Sequence, residues 1–261
     1  MSAPPFTGER LHADNALFGV DLARHRAAYR FAADRVRGRR VLDLGCGTGY
    51  GAAELSSAAG TIVGLDRVAP DPAARRSTAH WIRADLNRVP LEHASFDVVL
   101  SFQVIEHLED PQPYLGAATS VLRPDGVALF TTPNLLTSDR ENPFHVHEYE
   151  ASELAELLAN HFGRVELLGI SAGPTVAPYF EARLERIRRI TRLDPLGLRR
   201  RLPRALVERL FGILAIVVRR GIRGGNGMPE ATWRDFPIEP VHEACLDLLA
   251  VCREPCERRA A

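Results

Sequence analysis

Residues Val41 to Gly51 read VLDLGCGTGYG. A short apolar run carries an acid, Asp43, and glycines then alternate at positions 45, 47, 49 and 51 before a helical stretch, AAELSSAA. Glycines at this spacing let a strand turn sharply into a helix and let a ligand touch bare backbone. The start of that helix also offers N–H groups to a polar or anionic ligand. Dinucleotide enzymes use a related turn, but their fingerprint needs its third glycine where this chain has Tyr50. It also gives no reason for an acid two residues before the first glycine. An acid there suits a ligand with a free ammonium group.

Outward from the turn, short apolar runs alternate with helical patterns. TIVGLD (61–66) ends in Asp66, 17 residues after Gly49, where a strand-tip carboxylate is placed to accept both hydroxyls of an adenosine ribose. HWIRADL carries Asp85 near its end, suited to receive an adenine amino group. SFDVVLSFQVIEHLED (95–110) reads as a buried fourth strand turning into a helix. VLRPDGVALFTTPN (121–134) reads as a helix end, a Pro-Asp-Gly turn and a fifth strand. A helix from about Glu150 to His161 and a sixth strand, RVELLGI, follow, and LDLLAVCR (246–253) is the candidate for a seventh. Such alternation predicts an α/β fold, a seven-stranded, mostly parallel, Rossmann-like sheet with helices on both faces.

These segments, in this order over roughly residues 39 to 170, resemble the class I S-adenosylmethionine (SAM)-dependent methyltransferases. The resemblance implies SAM as cofactor and S-adenosylhomocysteine as product. It implies that Gly45, Cys46, Gly47 and Gly49 approach the methionine part, with Asp43 towards its ammonium. It places Asp66 and Arg67 at the ribose, Asp85 and Leu86 at the adenine, and Phe102, Gln103 and Val104 along the cofactor's open edge.

With 46% apolar and 25% charged residues and a formal net charge of zero, the chain has an ordinary soluble composition and no global drive towards nucleic acid. All 33 basic residues are arginine. The start, MSAPPFTGER, has no basic region followed by an apolar core, so the expected location is the cytoplasm. Cys46, Cys245, Cys252 and Cys256 lack the paired spacing of a zinc site and are read as small buried residues. Beyond Glu109 and Asp110, which read as helix-start acids, the active-site loops carry no paired acids of the kind a hard cation wants, so the expectation is a metal-free site.

Four segments are expected: a helical cover (1–38), the SAM-binding core (39–170), an arginine-rich helical insertion (171–244) and the last strand with its tail (245–261). In the cover, His25 and Tyr29 share a helix face. The insertion is too long for an ordinary connection. From Pro174 to Pro240 it holds 14 arginines against seven acids. Its stretch RALVERLFGILAIVVRRGI (204–222) is apolar on every side near Ile213 to Val218, and too short to span a bilayer. Three readings compete for it: a lid on the sheet, a dimer contact, or a peripheral membrane helix.

Methyl transfer from a sulfonium needs nucleophile and methyl held in line, and a hydroxyl acceptor must also lose its proton. The candidates to receive that proton are three histidines, His107 in VIEHLED and both His145 and His147 in ENPFHVHEYE. Both loops emerge at the carboxyl ends of strands, where open α/β sheets bind ligands. An extended run points His145 and His147 the same way, whereas a turn separates them. ENPFHVHEYE resembles a stretch in bacterial methyltransferases that modify sugars, polysaccharides or glycolipids, which favours His145. The Glu106–His107 pair is shared with many small-molecule methyltransferases, and Glu106 itself is read as structural. The aromatic motif of nucleic-acid amine methyltransferases is absent at the end of the fourth strand, so no nucleic-acid partner is expected. TWRDFP and CLDLLAVC resemble actinobacterial methyltransferases associated with mycofactocin oligosaccharides. The acceptor is therefore expected to be a sugar hydroxyl of an oligosaccharide. The alternatives are a quinone- or polyketide-type O- or C-methyltransferase acting on a small molecule, and a SAM-binding partner protein without catalysis.

Overall fold

The computed structural model describes residues 18–140, 142–191 and 229–256. Five of its strands, β1 (Arg40–Leu44), β2 (Thr61–Asp66), β3 (His80–Arg83), β4 (Phe96–Phe102) and β5 (Leu122–Pro133), run parallel. The chain then adds β6 (Phe162–Ile170), β7 (Ile238–Pro240) and β8 (Asp247–Pro255). β8 lies antiparallel between β5 and β6, and the full order is β3-β2-β1-β4-β5-β8-β6-β7. The sheet thus has eight strands where seven are expected. The extra one, β7, is a three-residue edge strand antiparallel to β6. It comes from the end of the 171–244 insertion, so that segment is not wholly helical.

Successive residues of the inner strands feed two cores. Val41, Val98, Leu100 and Leu129 face α1 (Gly19–Val36) and α2 (Tyr50–Leu55), while Leu42, Val99, Ala128 and Phe130 face α3 (Gln112–Val121) and α4 (Ala151–Ala159). Burial on both faces explains why these strands read as continuous apolar runs rather than alternating ones. α5 (Ala177–Thr191) joins the first layer through Val176, Tyr179 and Phe180. The Pro124–Asp125–Gly126 turn falls where the β4–β5 register shifts, between the Phe96 and Val98 pairings.

The strand order reverses between β1 and β4, and ligands of open α/β sheets bind in the crevice at such a point. Three cysteines are buried as expected, but Cys256 is exposed beyond β8. Among the described residues no helix is long and apolar enough to cross a membrane, and the 204–222 stretch lies outside the described residues.

Candidate active site

A cleft of about 500 Å³ opens above the carboxyl ends of β1 and β4. Its floor is the glycine turn. Gly45, Gly47 and Gly49 all take positive φ, at 86°, 55° and 85°. The N–H groups of Gly45 and Cys46 donate to the Leu65 carbonyl at 2.8 and 3.2 Å, tying the turn to β2. Side chains crowd two of these glycines. A Cβ on Gly45 would stand 2.5 Å from Val104 Cγ2, and one on Gly49 would stand 2.6 Å from the Trp81 ring. Only glycine combines that backbone with that clearance.

Asp66 closes the turn from the side. Its Oδ2 accepts from Gly47 N and its Oδ1 from Val68 N, both at 2.9 Å. A carboxylate has about four acceptor positions, so two remain for ribose hydroxyls. Arg67, Asp85, Leu86, Phe102, Gln103 and Val104 also line the cleft, as the resemblance implies. Arg67 Nη2 lies 2.5 Å from Asp85 Oδ2, and Asn87 N donates to Asp85 Oδ1 at 2.9 Å. The Asn87 backbone N–H and Arg67 together hold the Asp85 carboxyl below the usual range. Gln103 has φ 57°, a left-handed backbone uncommon outside glycine and concentrated at functional sites.

Two of the expected cofactor residues, Asp43 and Gly49, lie just outside the cleft lining. Asp43 is fully buried beneath the turn and lies outside the cleft lining. The Tyr29 hydroxyl donates to its Oδ2 at 3.1 Å. Burial pushes the Asp43 carboxyl up to about 7, against the Tyr29 hydrogen bond and with help from the Asp66 charge. Gly49 also lies outside the lining, packed under Trp81 and Pro70.

The upper wall is built by α1. Its residues Asp21, Arg24, His25 and Tyr29 face the cleft. His25 Nδ1 contacts the Tyr50 hydroxyl, and the His25, Tyr29 and Tyr50 rings stand 5.8 to 5.9 Å apart in pairs. Burial, with Arg24 nearby, lowers the His25 pKa to about 4. Arg183 of α5 reaches the same wall, with Nη1 3.0 Å from Asp21 Oδ1 and Nη2 4.0 Å from Asp139 Oδ2. Burial opposes the Arg183 charge, yet Asp21 and Asp139 leave its pKa raised. No sequence signal pairs Asp21 with Arg183, because the partners are 162 positions apart on helices with no shared motif.

At the acceptor end the loops after β4 and β5 are stapled together. Glu106 O accepts from Val146 N at 2.7 Å and from His147 N at 3.2 Å, and His107 Nδ1 meets Phe144 O at 2.9 Å. His107 and His145 therefore come together, with ring centroids 5.1 Å apart. His145 Nδ1 lies 2.6 Å from Glu148 Oε1, and this pair is nearly buried. His147 parts from them where the Val146 and His147 N–H groups both turn onto Glu106 O. Its ring is half exposed, pairs with Glu153 at 2.7 Å and lies outside the cleft lining. Of the two arrangements that the sequence leaves open, the one that separates His147 from His145 is found. Sequence reasoning misses Glu148, which orients His145, although its spacing of three from that histidine is there to read.

A strand–glycine turn–helix crevice with a ribose-type carboxylate at the next strand tip defines an adenosine-cofactor α/β protein. Comparison with known proteins makes this specific. The family model described as a methyltransferase domain matches residues 42–130. A probable S-adenosylmethionine-dependent methyltransferase of Mycolicibacterium smegmatis is 41% identical over 187 residues, covering 67% of this chain and 72% of that one. A similarly described Mycobacterium tuberculosis protein is 37% identical, covering 64% and 65%. A SAM-dependent methyltransferase structure from Thermotoga maritima shares the fold, with TM-score 0.53 and 15% identity over 88% of this chain and 91% of that one. The chain belongs to the SAM-dependent methyltransferases, and its cofactor is SAM.

Proposed function

We propose that the protein transfers the SAM methyl group to a hydroxyl of a sugar, within an oligosaccharide of the mycofactocin kind. The observation that carries this is the His145–Glu148 pair, placed beside His107 at the end of the cleft away from the ribose-type carboxylate. A hydroxyl is a poor nucleophile until its proton is weakened, and a histidine fixed by a carboxylate is a common device for that. An amine acceptor must instead be neutral, and a carbon acceptor needs an activated ring or enolate. More distant relatives named as ubiquinone biosynthesis O-methyltransferases, such as one 30% identical over 37% of this chain, also act at oxygen by their names.

The test supplies SAM with an isotopically labelled methyl to the purified protein and to glycan extracts of the host. The expected product is an oligosaccharide heavier by one labelled methyl in place of a hydroxyl hydrogen. His145→Ala is expected to keep SAM affinity and to lose roughly 10²- to 10⁴-fold in turnover. Near-normal turnover in that variant, or label appearing only on nitrogen or carbon, overturns the proposal.

A further inference from the structure

Glu106, His107 and His145 form a cluster in which one donor atom of each lies within 4.8 Å of the other two. We propose that this cluster is a binding site for one divalent first-row transition-metal ion at the acceptor end of the cleft. This rests on and deepens the acceptor chemistry proposed above: the His145–Glu148 pair would hold the ion, and the ion rather than the free imidazole would weaken the hydroxyl's proton.

Three observations carry it. The first is the tautomer that the surroundings impose. A carbonyl oxygen and a carboxylate only accept hydrogen bonds, so Phe144 O and Glu148 Oε1 each require the histidine Nδ1 facing them to bear the proton. In each neutral ring Nε2 is then the lone-pair nitrogen. A metal-binding histidine commonly has this arrangement, one nitrogen on the ion and the other on a carbonyl or carboxylate behind it. The second is placement. The backbone bonds from Val146 and His147 to Glu106 O fix the two loops against each other, so the cluster does not depend on loose surface side chains. The third is charge. Glu106 is fully buried, with Thr132 Oγ1 donating to its Oε2 at 3.2 Å, and a buried carboxylate is stabilised by a cation.

Two imidazoles and one carboxylate suit zinc or manganese better than magnesium or calcium, which prefer oxygen alone. Donors on opposite sides of such an ion stand roughly 4.2 Å apart, so a small inward movement of the side chains completes the set. Three protein donors leave room for a substrate oxygen. An acceptor hydroxyl bound there would release its proton to cleft water. Its oxygen would then form the new O–CH₃ bond as the S–CH₃ bond breaks and its electron pair stays on sulfur.

The test needs no acceptor. Chelator-stripped, full-length protein is titrated with Co²⁺ alone, read by visible absorption, and with Zn²⁺ and Mn²⁺ alone by calorimetry. One equivalent is expected to bind with a dissociation constant at or below the micromolar range. His145→Ala and Glu106→Gln are each expected to abolish that equivalent. Glu148→Gln, which touches only the far side of the ring, should weaken it roughly 10- to 100-fold. Cys256→Ser and His147→Ala report adventitious surface binding and should change nothing. Thermal melts accompany every variant, and His107→Ala replaces Glu106→Gln if the buried change unfolds the protein. The site is refuted if no saturable binding occurs up to about 1 mM metal, or if stoichiometry and spectrum persist in His145→Ala. Metal binding without sugar methylation would overturn the acceptor proposal and leave this one standing. Sugar methylation by a protein that binds no metal would do the reverse.

Discussion

The two ends of the cleft recognise their ligands by different means. At the cofactor end the backbone does most of it: three glycines with positive φ and a β1–β2 tie through Leu65 O shape the floor, with Asp66 bracing the turn. At the acceptor end side chains do it: His145 with Glu148 three residues on, and His107 with the Phe144 carbonyl of another loop, beside a wall braced by Arg183 with Asp21. A backbone site constrains residue type at fixed spacing. A side-chain site constrains only that partners meet in space, so its ends are free to change together. The contrast fits a family that keeps one cofactor and serves many acceptors.

The largest effect lies beneath the cofactor end. Asp43 titrates near 7 in the folded protein against an ordinary value of 3.8. A raised acid binds its proton more tightly when folded, so its contribution to stability is complete below 3.8 and is lost as pH climbs to about 7. The full loss is on the order of 4 kcal/mol for a buried group. Ligand-free Asp43→Asn should therefore be more stable relative to the parent at pH 8 than at pH 4, the gain building up between the two. Denaturant titrations at both pH values check this. Parallel curves for parent and variant would mean that Asp43 is ionised in place.

The acceptor wall should break more cheaply. Arg183→Met leaves Asp21 buried without its guanidinium, and removing one partner of a buried pair typically costs about 3–5 kcal/mol. Because Arg183 faces the cleft, about 3 kcal/mol is expected, seen as a lowered melting temperature with SAM affinity little changed. An equal loss in both would tie α5 to the cofactor end and blur the comparison.

Asp66→Ala should sharpen it from the other side. Gly47 and Val68 lose their charged acceptor, and the ribose loses its own. Hydrogen bonds to charged groups are worth about 1.5–3 kcal/mol, so SAM affinity should fall at least tenfold by calorimetry. Unchanged affinity would remove Asp66 from the cofactor site.

What is legible in the sequence follows the same division. The glycine turn, the strand-tip acids and the order of the parallel strands can be read because backbone demands leave residue-type signatures. The Tyr29–Asp43 bond is not legible, because an acid before a glycine turn looks alike with or without a tyrosine from a preceding helix donating to it. β7 is invisible because three residues, Ile238–Pro240, carry no period and pair only through the far edge of the sheet. The Glu106–His107–His145 cluster carries no sequence signal of its own, because its members come from the two loops after β4 and β5 and lack ligand spacing.

His147 offers the smallest effect and the sharpest control. It lies two residues from His145, and extended backbone would put both rings in the cleft. The backbone N–H groups of Val146 and His147 both turn onto Glu106 O instead, which sends the His147 ring out to Glu153 on α4. That pair is half exposed, and surface pairs of this kind contribute little. His147→Ala should change stability by less than about 0.5 kcal/mol and turnover by less than about twofold. The same substitution at His145 should cost orders of magnitude in turnover, and some stability as well, because it leaves the nearly buried Glu148 without its partner. If both variants lose turnover alike, the loop after β5 must open when the acceptor binds, and the acceptor end would owe its shape to the ligand rather than to the staple at Glu106.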